Sequence, residues 1–150
     1  RYSVVEEWGD IKYIINCQNV PYGLKNDGMV VVGSEYHTED YPLMKEIYSN
    51  TQIALGITEE NSIYVIQGEE YCEKKGMLQV EDWKNVKDIA IGKSHTVALL
   101  NDGTVVATGR NTYGQCDVEQ WNDIVKIYVG NQSTFGINSE GELLMAGIIY

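Results

Sequence analysis

The chain has 150 residues, and its 22 acidic residues outnumber its 11 basic residues to give a net charge of −11. This charge disfavours binding to DNA, RNA or an anionic membrane, because like charges repel. The sequence has no apolar run long enough for a transmembrane helix and no opening signal peptide, so it leaves the cellular compartment open. The first residue is Arg1 rather than methionine, so we expect a processed product or a piece of a longer chain.

The first predicted unit begins at Trp8 and has aliphatic residues three and six positions later, at Ile11 and Ile14. The acidic-Gly pair Asp27-Gly28 lies between two apolar runs of the same unit. Glycine adopts positive φ without steric cost, so this pair predicts a tight turn between two antiparallel strands. The unit is therefore predicted to be a β-hairpin preceded by another strand.

The same pattern recurs three more times. The second unit begins at Tyr41 and diverges most, with Glu60-Asn61 in place of the acidic-Gly pair. Asparagine tolerates the left-handed conformation better than most residues do. The third and fourth units begin at Trp83 and Trp121 and are the clearest copies. We name these four first residues the anchor residues, and place the units of this single repeat domain at about 8–40, 41–82, 83–120 and 121–150, with residues 1–7 completing a blade.

Short β-rich runs with frequent turns and a period near forty residues are typical of β-propeller blades. In the third unit, strands are predicted at residues 89–91, 96–100 and 104–108, and residues 117–119 are a candidate fourth strand. We therefore predict an all-β fold of propeller blades with about four antiparallel strands each. The longest connection, residues 69–82, is predicted to be an excursion on the surface.

One stretch of the third unit carries a family resemblance. The residues that carry it are Trp83, Gly92, His95, Thr96, Ala98, Leu99, Asp102, Gly103, Thr104, Val105, Ala107, Gly109, Asn111, Tyr113, Gly114 and Gln115. They resemble the repeat of the regulator-of-chromosome-condensation family, and most closely its short-blade bacterial branch, which includes a secreted β-lactamase-inhibitor propeller. The resemblance implies a β-propeller of four-stranded blades, usually seven to a ring.

Four units do not divide into a ring of seven. An open arc of blades exposes apolar faces and strand edges, which favours further association. Three arrangements therefore stay open. The chain is a piece of a longer propeller, or two chains pair head to tail into an eight-bladed ring, or a single four-bladed ring closes on itself.

The residues that could carry chemistry give little support for an enzyme. Ser94, His95 and Asp102 are the one group that resembles a catalytic set, but neighbouring residues of a strand point to opposite faces. The sequence contains no motif of a serine hydrolase, a phosphate-binding loop or a zinc protease. We therefore predict a non-enzymatic protein with no cofactor and no metal. The cysteines, which lack CxxC spacing and are predicted to be free structural thiols, are Cys17, Cys72 and Cys116.

A tyrosine follows the closing glycine of each unit by three or four positions. These residues are Tyr36, Tyr71, Tyr113 and Tyr150. They are either packing residues with hydrogen-bonded hydroxyls, or a set of aromatic side chains on one face of the propeller that suits protein recognition. With His37 and Arg110 from the same connections, they are the candidate partner-binding residues.

The function that these features favour is a protein-binding module, and the alternative is a scaffold that assembles with itself into a ring. The predicted partner is accordingly another protein or a second copy of the chain, without nucleic acid or membrane. A sugar-binding propeller is less favoured. Guanine-nucleotide exchange or chromatin binding follows from the family resemblance alone, and the acidic charge counts against it.

Overall fold

The computed structural model of the chain describes residues 8–34 and 40–149. Within these residues no helix is long and apolar enough to cross a membrane. Residues 1–7, which were predicted to complete a blade, lie outside the described residues. The elements are β1 (Ile11–Cys17), β2 (Val20–Lys25), β3 (Val30–Val32), β4 (Met44–Ser49), β5 (Ala54–Thr58), β6 (Ile63–Gln67), α1 (Glu70–Lys74), β7 (Val86–Ile91), β8 (His95–Leu100), β9 (Val105–Gly109), β10 (Ile124–Val129), β11 (Ser133–Asn138) and β12 (Leu143–Gly147).

The strands form four antiparallel sheets, one in each predicted unit, with the strand orders β1-β2-β3, β4-β5-β6, β7-β8-β9 and β10-β11-β12. The predicted all-β fold of four repeated units is confirmed. Each described sheet has three strands rather than about four. Residues 117–119 form turns instead of a fourth strand, because Val118 accepts a local backbone hydrogen bond from Trp121 at 3.0 Å and buries its side chain beside the fourth sheet.

A small residue at the centre of the middle strand of each three-stranded sheet leaves space for a large side chain. A Cβ atom on Gly23 would lie 3.0 Å from the ring of Trp8, and one on Gly136 would lie 2.8 Å from the ring of Trp121. The third unit has Ala98 at the same register position. The anchor tryptophans of the first and fourth units therefore pack against their own middle strand, where any larger residue would displace them.

In the second unit a different side chain fills the space beside the middle strand. A Cβ atom on Gly56 would lie 2.1 Å from the sulfur of Met44, so this methionine fills the space that tryptophan takes elsewhere. Tyr41 instead packs edge-on against Tyr64, with the ring centroids 6.2 Å apart. The divergence of this unit in sequence is therefore matched by a different side chain in the same space.

Each of the first three hairpin turns is joined to the next unit by a backbone hydrogen bond. The turn carbonyls of Gly28, Asn61 and Gly103 accept bonds of 2.9 Å from the N–H groups of Met44, Val86 and Ile124, respectively. All three turn residues have positive φ, as the sequence predicted: 88°, 59° and 83°. The left-handed conformation thus has two roles, because it closes the hairpin and turns a carbonyl toward the following unit.

Apolar side chains fill the space between consecutive sheets, and the longest connection adds to this core. Cys72 and Met77, from residues 69–82, are fully buried against Ile53 of the second unit. The connection stays at the surface, where Tyr71, Glu73 and Lys74 are exposed, and the two buried side chains anchor it to the core. Cys72 is the buried residue of the short helix α1, and the composition of a segment with so many charged residues does not reveal this contact.

We expect Gly103→Val to cost more stability than Gly141→Val, although both glycines have φ of +83°. Both variants carry the strain of a branched residue in a left-handed conformation, about 1–3 kcal/mol. A Cβ atom on Gly103 would also meet the backbone nitrogen of Asp123 at 3.2 Å, whereas one on Gly141 meets nothing within 4 Å. Urea unfolding of the two variants measures the difference. Equal losses would contradict the close backbone contact between the third and fourth units.

Candidate functional site

Each sheet has one end at which the loop between its first two strands lies beside the exit of its third strand. In the third unit His95 pairs with Gly109, so residues 92–94 lie beside the chain leaving β9. The Arg110 N–H donates to the Ser94 carbonyl at 2.8 Å and holds the two segments together. The connections that the sequence singled out therefore leave their sheets next to these loops.

Hydrogen bonds between units place the loops side by side. The Gln18 N–H of the first unit donates to the Thr51 carbonyl of the second at 3.3 Å. The Asn50 side-chain amide of the second unit donates to the Gly92 carbonyl of the third at 2.9 Å. These loops and the adjoining connections thus share one side of the molecule, which we name the connection face.

A cavity of about 750 Å³ opens on the connection face. A second cavity of about 470 Å³ adjoins it and shares Gln52 and Lys93 with it. Three basic residues and one acidic residue line the larger cavity, which we name the cationic cleft. Among the described residues its lining is Gln52, Glu69, Tyr71, Lys75, Lys93, Ser94, Arg110, Asn131 and Gln132, drawn from the second, third and fourth units.

The charge of the cationic cleft is opposite to that of the chain. Acidic residues outnumber basic ones 22 to 11 in the whole sequence, whereas Lys75, Lys93 and Arg110 face a single carboxylate, Glu69, in the cleft. Among the described residues, Lys93 and Arg110 enter no ion pair, and both side chains are exposed. The cleft is therefore a local positive site on an acidic protein.

Tyr71 and Lys75 form one structural group at the edge of the cleft. They are four residues apart at the end of helix α1, which brings their side chains together. The Lys75 ammonium lies 4.0 Å from the centroid of the Tyr71 ring and donates a hydrogen bond to its hydroxyl. The ring is 50% exposed, so the lysine holds an accessible aromatic surface in place.

The loop after β9 positions Tyr113 on the same face. The Asn111 side chain accepts a hydrogen bond from the Cys116 N–H at 2.8 Å and donates one to the Asp117 carboxylate at 2.6 Å. The Tyr113 N–H donates to the side-chain oxygen of buried Gln115 at 3.0 Å. These bonds fix the loop, while the Tyr113 side chain is 40% exposed.

The structure brings two of the six candidate partner-binding residues together. Tyr71 and Arg110 line the cationic cleft, and Tyr113 is exposed on the loop that follows Arg110. The packing interpretation of the tyrosines therefore does not hold for these two rings, and their role in binding stays a prediction. The remaining candidates, which lie outside the described residues, are Tyr36, His37 and Tyr150.

Sequence reasoning missed the residues at the tips of the loops between first and second strands. They fall ten and eleven positions after each anchor residue, and every one is polar. They are Gln18 and Asn19, Thr51 and Gln52, Lys93 and Ser94, and Asn131 and Gln132. Laying the four units over one another by their anchors would have shown this set of polar positions.

His95 has a structural role. Its ring is fully buried, and its Nε2 lies 3.0 Å from the hydroxyl of Thr134 in the next unit. The Thr134 hydroxyl donates its own hydrogen to the Gln115 carbonyl at 2.7 Å, so it accepts from His95. Burial lowers the pKa of His95 below its usual value, because the charged imidazolium is disfavoured away from water. A neutral histidine therefore joins the third and fourth units.

The catalytic interpretation of His95 with Asp102 fails on distance. His95 is the first residue of strand β8, whereas Asp102 lies in the turn beyond the other end of that strand. Asp102 is exposed and accepts hydrogen bonds from the Thr104 N–H at 3.0 Å and the Thr104 hydroxyl at 2.6 Å. Its carboxylate therefore shapes the hairpin turn and does not orient the histidine.

The cysteines are not activated as nucleophiles. Cys17 and Cys72 are buried, Cys116 is partly buried, and all three are free thiols. Burial raises the pKa of both Cys17 and Cys116 to about 11, which keeps them protonated near neutral pH. Among the described residues, no group of three His, Cys, Asp or Glu side chains has the geometry of a metal site.

Comparison with protein families confirms the resemblance for the third unit. Residues 86–115, which run from β7 through the loop after β9, match the regulator of chromosome condensation (RCC1) repeat. The match covers the part of the chain that contains His95, Arg110 and Tyr113. A search of curated proteins finds no match to this chain.

Solved structures show the same fold at low sequence identity. The chain is similar to the ectodomain of the receptor kinase CR4 from Physcomitrella patens, with a TM-score of 0.68 and 18% identity over 98% of this chain and 45% of that one. Prp20p from Saccharomyces cerevisiae gives a TM-score of 0.66 and 16% identity over 91% and 43%. The computationally designed Ika4 protein gives 0.55 and 12% over 97% and 96%. The chain thus spans less than half the length of the two natural proteins.

We expect the stability of the chain to fall as the pH drops below about 6.5, the usual pKa of histidine. The lowered pKa of His95 means that the unfolded state binds a proton more readily than the folded state. The free energy of unfolding therefore keeps its full value above the pKa that His95 has in the unfolded state. Below that pKa it falls by up to about 1.4 kcal/mol per pH unit. Urea unfolding at pH 7.5 and 5.0 measures this loss. His95→Gln should remove most of it, and an unchanged loss in this variant contradicts the assignment.

Proposed function

From the premise that this chain carries an RCC1 repeat within four propeller-like units, we propose that it is a protein-recognition module that binds its partner through the connection face. The observation that carries the proposal is the cationic cleft, whose lining comes from equivalent loops of consecutive units and from the connections beside them. A site built in this way presents several side chains to one partner at once.

The side chains exposed on this face are of the kind that dominates protein interfaces. Tyr71 and Tyr113 are 50% and 40% exposed, and Arg110 is exposed beside them. Tyrosine and arginine are enriched among the residues that contribute most to binding free energy. Both tyrosines lie on segments held by hydrogen bonds, so binding would order little further chain and lose little entropy.

The polar groups inside the fold support binding rather than catalysis. Burial lowers the pKa of His95 and raises the pKa of the Cys17 and Cys116 thiols, and Asp102 belongs to a turn. Among similar structures, that of Prp20p is described with its binding to Gsp1p and histones, and that of Prp20 in complex with Kap60 is also known. These partners belong to those proteins, and they support a recognition role for this fold in general.

Site-specific photo-crosslinking tests the connection face. We expect a benzoyl-phenylalanine at position 71 or 113 to capture a partner in an extract of the source cells, and one at position 102, on the opposite turns, to capture none. The purified partner should then bind Tyr71→Ala and Arg110→Ala at least about fivefold more weakly than the unmodified chain, and Asp102→Ala equally well. Equal capture from both sides, or equal affinities, contradicts the proposal.

A second candidate function is head-to-tail assembly, which the two ends of the arc favour. Leu143 on the last sheet is 68% exposed, whereas Val105, at the same register position of the third sheet, is 3% exposed. Ile14 on the first sheet is 56% exposed, whereas its equivalent Ile47 is 3% exposed. Both end sheets therefore carry apolar positions that the inner sheets bury against a neighbour.

Light scattering over a range of concentrations tests this assembly. If the ends pair, the average mass of the chain rises with concentration, and Leu143→Lys keeps it at one chain by placing a charge in the contact. Leu43→Lys is the matched control, since Leu43 is also exposed, at 50%, but belongs to the second unit, beside the turn at Gly28 of the first. A mass of one chain at all concentrations, or equal effects of the two variants, contradicts the assembly.

A further inference from the structure

We propose that the cationic cleft binds a short acidic segment of the protein partner, with the partner's carboxylates meeting Lys93 and Arg110. This inference rests on the proposed function and adds the chemistry of the ligand. It begins from the charge contrast, since three basic residues gather around one cavity in a chain with twice as many acids as bases.

The three cations approach the cleft from separate elements. Lys75 follows helix α1, Lys93 lies in the loop between β7 and β8, and Arg110 follows β9. A single small anion would meet one or two of them, whereas a peptide with several carboxylates reaches all three. Among the described residues, neither Lys93 nor Arg110 is neutralised by an ion pair, so an incoming carboxylate displaces only water there.

The neutral part of the lining suits a peptide backbone. Gln52, Asn131 and Gln132 bring side-chain amides to the cleft, and these both donate and accept hydrogen bonds. The Gln132 oxygen has no hydrogen-bond partner among the described residues. When this amide rotates toward the cleft, its oxygen accepts a hydrogen bond from a peptide N–H of the ligand. The exposed ring of Tyr71 adds an apolar surface beside these groups.

The net charge of the chain limits the ligand to a short acidic run. Charges beyond about 8 Å are screened at physiological ionic strength, so a segment inside the cleft interacts mainly with the nearby cations. A long polyanion would continue past the cleft onto a surface that is acidic overall. The chemistry therefore favours a few Asp or Glu residues followed by neutral sequence, and disfavours nucleic acid.

Glu69 is the one carboxylate in the lining of the cleft that the described residues form. Its Oε2 accepts a hydrogen bond from the Gln52 side chain at 3.4 Å, which places it at the second-unit side of the cleft. It repels an acidic ligand, so removing its charge should strengthen binding while leaving the shape of the side chain unchanged. Glu69→Gln is therefore a variant whose expected effect is a gain, which misfolding does not mimic.

The test is fluorescence anisotropy with labelled ten-residue peptides of alternating Glu and Ser, Gln and Ser, or Lys and Ser. We expect the chain to bind the Glu peptide and not the other two. Lys93→Ala and Arg110→Ala should each weaken binding about threefold, and the double variant about tenfold, whereas Glu69→Gln should tighten it about threefold. Lys84→Ala removes the same charge outside the cleft and should change the affinity less than about twofold.

The outcomes separate this inference from the proposed function. No binding of the Glu peptide, equal binding of the Gln peptide, or equal losses in Lys84→Ala and Lys93→Ala overturns the acidic-segment inference. If crosslinking from position 71 still captures a partner on the connection face in that case, the proposed function stands and only the ligand chemistry is wrong. If crosslinking from that position captures nothing either, both fail.

Discussion

The packing of each sheet against the next is the constraint on which the rest of this structure depends. A three-stranded sheet alone buries too little apolar surface to be stable, and here both sides of each inner sheet are covered by neighbours. Val97 and Leu99, for example, are 0% and 1% exposed because the fourth unit lies over them. The backbone bond from Ile124 to the Gly103 carbonyl fixes how the same two units meet. Stability therefore resides between units as much as within them.

This constraint also decides where a binding site can form. Because units repeat in one orientation, equivalent loops converge on one side, and the opposite side receives the hairpin turns that join unit to unit. The residues of the hairpin turns have structural roles, as the hydrogen bond that Asp102 accepts from Thr104 shows. The tips of the loops on the connection face are also held together, but through backbone groups such as the Gln18 N–H and the Thr51 carbonyl. Their side chains, including Lys93 and Asn131, are therefore available to face a partner.

The polar core between the third and fourth units shows how the family motif contributes to this face. His95 bonds to Thr134, and Thr134 bonds to the backbone of Gln115, whose side chain receives the Tyr113 N–H. A chain of hydrogen bonds thus leads from the buried core to an exposed tyrosine. The residues of the motif hold the loop, and the variable residues around them, such as Arg110, determine what the surface carries.

The sequence by itself determined the all-β class, the four units and the left-handed turns at Gly28 and Gly103, because these depend on periodicity and on local φ preferences. Only the tertiary structure decided that Val118 packs as a turn residue instead of extending a fourth strand. It also brought Lys93 and Arg110 to one cavity. The reason is physical: charges seventeen residues apart meet only once the sheets have packed, and no local preference encodes that meeting.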